Sequence, residues 1–243
     1  MHFFLTFTME TRKSIKRVSF SDQKAKVDVY IEEILDPAYG CYIWPCSLVM
    51  AEFVWYNRFQ FEHKTLLEVG AGTSLPSLVL AKSVDELRLI LSDIPSILPV
   101  IQGCVQRNHT DKDIWIEPIE WGARDSIDHL TKRVETEWDT KIDYILGSDT
   151  FYEPSEFENL LVLVSFVIHT HNPNCKFFTA YQERSPKRSI QRLLDKWNLK
   201  CRLISKQSFE FDDLKYTESQ DNQSEVQVNA GTLSSVFLLE ISK

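Results

Sequence analysis

Leu66-Leu67-Glu68-Val69-Gly70-Ala71-Gly72-Thr73-Ser74-Leu75-Pro76 reads as an apolar strand ending in a carboxylate, a turn with two glycines, and the opening of a helix. α/β sheets meet nucleotide-like ligands through that order of elements. A pyrophosphate-binding turn prefers a third glycine where Leu75 stands, and no fixed negative charge at the strand tip. Glu68 stands two residues before the first glycine, where a carboxylate repels phosphate and attracts positive charge. S-adenosylmethionine carries an ammonium, a sulfonium and an adenosine but no phosphate, so Glu68-x-Gly70-x-Gly72 favours it over a dinucleotide. An ordinary glycine turn in an unrelated α/β protein is the alternative.

Outward from this turn, strand and helix alternate. Helices are expected at Pro45 to Asn57, Leu75 to Lys82, Ser96 to Asn108, Ile127 to Val134, Ser155 to His169 and Lys187 to Trp197. Strands are expected at Leu87 to Ser92, Ile114 to Glu117, Ile142 to Gly147, Lys176 to Thr179 and Lys200 to Ile204. That rhythm implies a largely parallel sheet covered on both faces, with ligands at the carboxyl ends of its strands. The polar stretch Phe209 to Val228 reads as a loop, and Thr232 to Ile241 as a terminal strand inserted antiparallel. Upstream, Val27 to Glu32 alternates as a half-buried strand that can pair with Val18 to Phe20. Residues 1–17 read as a mobile leader whose cluster Arg12, Lys13, Lys16 and Arg17 is a solvated tail or a weak nuclear address. With no Pro/Gly/Ser-rich linker, residues 18–243 read as one domain.

The chain has 243 residues, with 27 Lys plus Arg against 35 Asp plus Glu and a net charge of −8. That disfavours a dedicated nucleic-acid binder and suits a basic protein segment as partner. Five cysteines without a CxxC pair read as reduced thiols, not as a disulfide frame or a zinc site. No metal site is expected, and no stretch approaches membrane-spanning length. The apolar opening is short and lacks a charged n-region, so a signal peptide is not expected.

Asp93 ends the strand after the glycine turn, where an acid can accept hydrogen bonds from both ribose hydroxyls or cap the following helix. Asp149 and Tyr152 follow the strand end Ile145-Leu146-Gly147-Ser148 and emerge at the same sheet edge. An acid and an aromatic there can position a nucleophilic nitrogen beside a methyl donor; a Ser-Asp turn capping the next helix is the alternative. Trp121 could wall an adenine or be buried in the core or at the surface, and the aromatic, glycine-containing run Tyr39 to Trp44 reads as core packing or as part of a site. His169 and His171 read as helix-end residues.

Glu68-Val69-Gly70-Ala71-Gly72, Asp93 and Asp149-Thr150-Phe151-Tyr152, in this order, resemble the seven-β-strand methyltransferases, specifically the methyltransferase-like family 16 group of protein methyltransferases. The last four match that group's Asp-x-x-Tyr/Phe motif, and the resemblance spans nearly everything from Val18 to the last strand. It implies a Rossmann-like seven-stranded twisted sheet, mostly parallel with an antiparallel last strand, helices on both faces, and S-adenosylmethionine as cofactor.

By the same resemblance, Glu68, Gly70 and Gly72 line the methionine end, Asp93 binds ribose, and Trp44, Trp121 and Ser148 sit around the cofactor. Asp149 and Tyr152 face the acceptor nitrogen, and Tyr181 and Arg184 shape the acceptor side. The implied reaction is methyl transfer to an arginine or lysine of a protein, with histones as candidate substrates and nucleus and cytoplasm as compartments. The chain shows no paired-glutamate loop of the usual arginine methyltransferases. One rival is a nucleic-acid N-methyltransferase, whose usual Asn/Asp-Pro-Pro-aromatic loop is here interrupted by Thr150 and Phe151. The other is a non-catalytic scaffold on the cofactor fold, with chaperones or transcription factors as partners.

Overall fold

Successive residues of a strand point to opposite faces of its sheet, and in this chain both of them bury. Leu66, Leu89, Leu146 and Phe178 enter one apolar core, while their neighbours Leu67, Ile90, Ile145 and Phe177 enter a second. Strands with two apolar faces need cover on both sides, which the helices supply. The computed structural model describes residues 13–34, 39–185, 189–217, 225–229 and 231–243.

In chain order the elements are β1 (Lys13–Ser21), β2 (Lys26–Ile34), α1 (Pro45–Tyr56), β3 (Thr65–Val69), α2 (Leu75–Ser83), β4 (Arg88–Asp93), α3 (Leu98–Asn108) and β5 (Asp113–Pro118). They continue with α4 (Arg124–Glu137), β6 (Tyr144–Ser148), α5 (Phe157–Phe166), β7 (Lys176–Gln182), α6 (Gln191–Lys196), β8 (Lys200–Ile204), α7 (Leu214–Thr217) and β9 (Val236–Ser242). The seven-stranded sheet runs β5-β4-β3-β6-β7-β9-β8, and only β9 is antiparallel to its neighbours. The expected fold class and the inserted terminal strand are both present. One core is filled by α1, α2, α3 and the β1–β2 hairpin, the other by α4, α5 and α6. Strand order reverses between β3 and β6, which opens a crevice at their carboxyl ends.

Three expectations are corrected. β1 begins at Lys13, so pairing reaches into the stretch assigned to the leader; residues 1–12 lie outside the described residues. Lys13 and Arg107 both donate to the buried Glu32, holding its carboxyl below its ordinary range and joining hairpin to α3. The stretch read as a loop from Phe209 contains α7, because Tyr216 is fully buried and donates to Glu52 at 2.5 Å, while Phe209 packs on Phe53. The helix expected from Lys187 begins at Gln191, with residues 186–188 outside the described set.

The two histidines have structural roles. The Ile142 amide donates to His171 Nε2 at 2.9 Å, and Nδ1 faces Glu135 at 3.0 Å; His169 meets the Trp197 carbonyl at 3.1 Å.

Asn108 ends α3 against the backbone of β2. Its Oδ1 accepts from the Tyr30 amide at 2.9 Å, and its Nδ2 donates to the Tyr30 and Cys104 carbonyls at 2.7 and 2.8 Å. Truncation leaves the partly buried Tyr30 amide and carbonyl of the hairpin without these partners. Asn108→Ala should lower unfolding stability by about 2 kcal/mol, seen as a lower urea midpoint at unchanged m value.

Candidate active site

β3 stops where Gly70 and Gly72 take the left-handed backbone, φ 58° and 50°. A Cβ on Gly72 would lie 3.1 Å from the Gly40 carbonyl oxygen, and one on Gly70 would lie 3.1 Å from the Trp121 ring. The turn is fastened to the tip of β4: Ala71 donates to the Ser92 carbonyl at 2.9 Å, and Gly72 donates to Asp93 Oδ2 at 2.9 Å. Asp93 Oδ1 accepts from Ile94 at 2.8 Å. Burial pushes the Asp93 carboxyl above its ordinary range against the pull of those two amides. Each of its oxygens keeps a second lone pair for a hydroxyl donor.

On the other side of the crevice β6 ends at Ser148 and the chain turns at Asp149, φ 59°. The Asp149 amide donates to the Ala180 carbonyl at 2.8 Å. Its carboxylate, 7% exposed, is gripped by Arg184, Nη1 to Oδ1 at 2.8 Å and Nη2 to Oδ2 at 2.5 Å.

A cavity of about 770 Å³ lies over these strand ends, lined by Trp44, Gly70, Gly72, Asp93, Trp121, Ser148, Asp149, Tyr152 and Arg184. Those expected site residues are brought together; Glu68 and Tyr181 do not join them at the wall. Tyr181 packs edge-on against Phe151, ring centroids 6.3 Å apart. Glu68 shares the face of β3 that carries Leu66, so it points into the helical layer, 1% exposed, beside Ser77 of α2. Without a cation to meet it, burial pushes its carboxyl up to about 8, so the expected fixed charge at the strand tip is instead a mostly neutral acid at pH 7.

Sequence reasoning missed Thr73, Ile94 and Ile97, which also line the cavity, as does Tyr42 of the aromatic run. Ile94 carried a usable signal: it is apolar, directly follows the strand-tip acid, and is 54% exposed at the wall. Cys46 was missed too; its buried thiol lies against Asp149.

The family described as lysine methyltransferase matches residues 23–196. The chain belongs to that family. The histone-arginine methyltransferase METTL23 of Xenopus laevis is 36% identical over 203 residues, 82% of this chain and 80% of that protein. METTL23 of Mus musculus is 36% identical over 81% of this chain and 74% of its own length. The protein-lysine methyltransferase METTL21E of Mus musculus is 31% identical over 51% of this chain and 50% of its own. Among solved structures, the mitomycin 7-O-methyltransferase MmcR shares the fold, with a TM-score of 0.51 at 11% identity over 81% of this chain and 53% of that one. The motifs Tyr39 to Cys46, Glu120 to Gly122 and Ser148 to Pro154 are similar to those of methyltransferase-like protein 23.

S-adenosylmethionine is the cofactor of this methyltransferase family, and the residues present fit it. Gly70 and Gly72 keep side chains out of a cradle that a Cβ would crowd, Asp93 offers acceptor lone pairs, and Ser148 Oγ is buried without a partner at the cavity wall. Among the described residues, no group of three or more His, Cys, Asp or Glu is placed to hold a metal, and no helix is long and apolar enough to cross a membrane.

Glu68 makes stability depend on pH. Below its ordinary value of 4.5 the carboxyl is protonated in both folded and unfolded chains, and its contribution is intact. Between 4.5 and about 8 the unfolded chain alone gives up the proton, so stability falls as pH rises. Glu68→Gln should remove that slope: at pH 8 its Tm should exceed that of the parent by about 3 °C or more, and the gap should close toward pH 4.5.

Proposed function

We propose that this methyltransferase acts on arginine nitrogens in basic protein segments, histones among them, in the nucleus and cytoplasm. The observation that carries the reading is the charge of the cavity. Among the described residues, Asp93, Glu120, Asp149, Glu153 and Glu156 line it against a single guanidinium, Arg184. Such a wall favours a cationic side chain and repels phosphate, which sets nucleic acid aside. Lysine meets the same field. Arginine is preferred because the relatives matching about four-fifths of the chain are named for it, whereas relatives named for lysine match about half.

S-adenosylmethionine supplies an electrophilic methyl group on a sulfonium. In this reading Asp93 accepts from the ribose hydroxyls, while Trp44, Trp121 and Ser148 orient the cofactor from the wall of the cavity. Asp149 accepts an N–H of the incoming nitrogen and stabilises the added positive charge as the methyl passes from sulfur to that nitrogen, until the nitrogen's displaced proton is lost to solvent and the acceptor is again a monocation. Tyr152, 40% exposed, gives a cationic side chain an aromatic face at the cavity wall.

Titration calorimetry with S-adenosylmethionine and S-adenosylhomocysteine should show binding of both by the parent and by Asp149→Ala, and by neither with Gly70→Arg, whose new side chain meets Trp121. Asp149→Ala should lower methyl transfer to recombinant histones by about 100-fold or more. Mass spectrometry should place the label on arginine; label confined to lysine would overturn the acceptor, and undiminished turnover by Asp149→Ala would overturn its role. If the parent transfers nothing while Gly70→Arg still captures chaperones or transcription factors, the scaffold reading replaces this one. Fractionation of cells expressing a tagged chain checks the two compartments.

A further inference from the structure

Asp149 and Arg184 were expected as two separate features of the acceptor side, but they form one unit. The guanidinium holds both carboxylate oxygens in parallel, 2.8 and 2.5 Å away, a fork that fixes the plane of the carboxylate as well as its position. Three elements converge to build it. Asp149 leaves β6 with its amide tied to the Ala180 carbonyl of β7, and Arg184 follows the end of that same β7. The fully buried Cys46 thiol, from the first turn of α1, closes on the carboxylate from the helical side.

The fork uses one lone pair on each oxygen and the Cys46 thiol takes another, which leaves one acceptor position on the carboxylate. A carboxylate so nearly buried would otherwise lose both its counter-charge and its orientation.

We propose that Arg184 is a positioning residue: it clamps the Asp149 carboxylate in one plane so that its remaining acceptor position meets the acceptor nitrogen, and it does not itself contact the protein substrate. The proposal rests on the reading that Asp149 serves the transfer. The opposite arrangement, with Arg184 as an internal occupant of a berth meant for the substrate guanidinium, makes the contrary prediction for the same variant.

The test uses Arg184→Ala and Arg184→Lys with recombinant histones as acceptor. Arg184→Ala should bind S-adenosylhomocysteine as the parent does, yet lose about 100-fold in kcat. Adding about 10 mM guanidinium chloride should restore a substantial part of the rate by refilling the fork, whereas methylammonium chloride at equal ionic strength should not. Arg184→Lys, which keeps the charge but not the fork, should be slow and insensitive to guanidinium. An Arg184→Ala enzyme as fast as the parent or faster would overturn the proposal in favour of the internal occupant. A slow Arg184→Ala enzyme that guanidinium does not rescue would overturn it in favour of a merely structural loss.

A second measurement separates this clamp from the acceptor assignment. Guanidinium at the same low concentration should raise the Tm of Arg184→Ala but not of the Asp149→Asn, Arg184→Ala double variant, whether or not histones are methylated. Equal response of the two variants would remove the clamp.

Discussion

The hydrogen bond from the Gly72 amide to Asp93 is the constraint on which the cavity depends. It joins the turn after β3 to the tip of β4, so two strands contribute to one wall with a fixed separation. The chain can make this bond only because Gly70 and Gly72 adopt positive φ, and because the missing Cβ lets Gly40 and Trp121 approach. Partial burial at the strand tip raises the Asp93 carboxyl above its ordinary range, while the Gly72 and Ile94 amides hold it in place as an acceptor. Sheet register carries the remaining alignment: Val69 pairs Ser92, and Leu146 pairs Glu68 and Phe178, so the ends of β4, β3, β6 and β7 arrive at one edge.

Two buried carboxylates show how partners decide what an acid can do. Glu68 faces a helical layer beside Ser77, with no cation against it among the described residues, and burial favours its neutral form. Asp149 is almost equally buried but has a guanidinium in fork geometry, with a thiol beside it. The field in the cavity therefore comes from Asp93, Asp149 and the loop acids Glu120, Glu153 and Glu156, not from the strand-tip glutamate that the sequence pattern brings forward.

Much of this was legible in the sequence because it is written locally. Apolar strand, glycine pair and helix opening occupy eleven consecutive residues, and Asp93 and Asp149 each sit at a strand end that composition marks. Whether residue 68 faces cavity or core was not legible, because one position along a strand reverses the face and both faces of β3 are apolar. The Asp149–Arg184 fork was equally hidden: its members are 35 positions apart and meet only because β6 and β7 pair in parallel. Tyr216 shows the same limit. Its neighbours read as polar loop, yet one ring reaching Glu52 of α1 is enough to dock the segment.

The cavity thus divides by the way its parts are encoded. Its cofactor end is made of backbone turns and a strand-tip acid, which tolerate little change because a single added carbon collides with a neighbouring chain. Its acceptor end is made of side chains on the segments after β5, β6 and β7, where substitutions alter charge and shape without disturbing the sheet. On the proposed reading, a family described for lysine can hold relatives named for arginine, since the residues assigned to the acceptor lie after the strands and outside the glycine turn. The clamp from Arg184 fits that division. It lets an exposed segment after β7 set the orientation of a nearly buried acid, so the choice of acceptor can change at Arg184 and the loop acids while the glycine turn stays as it is.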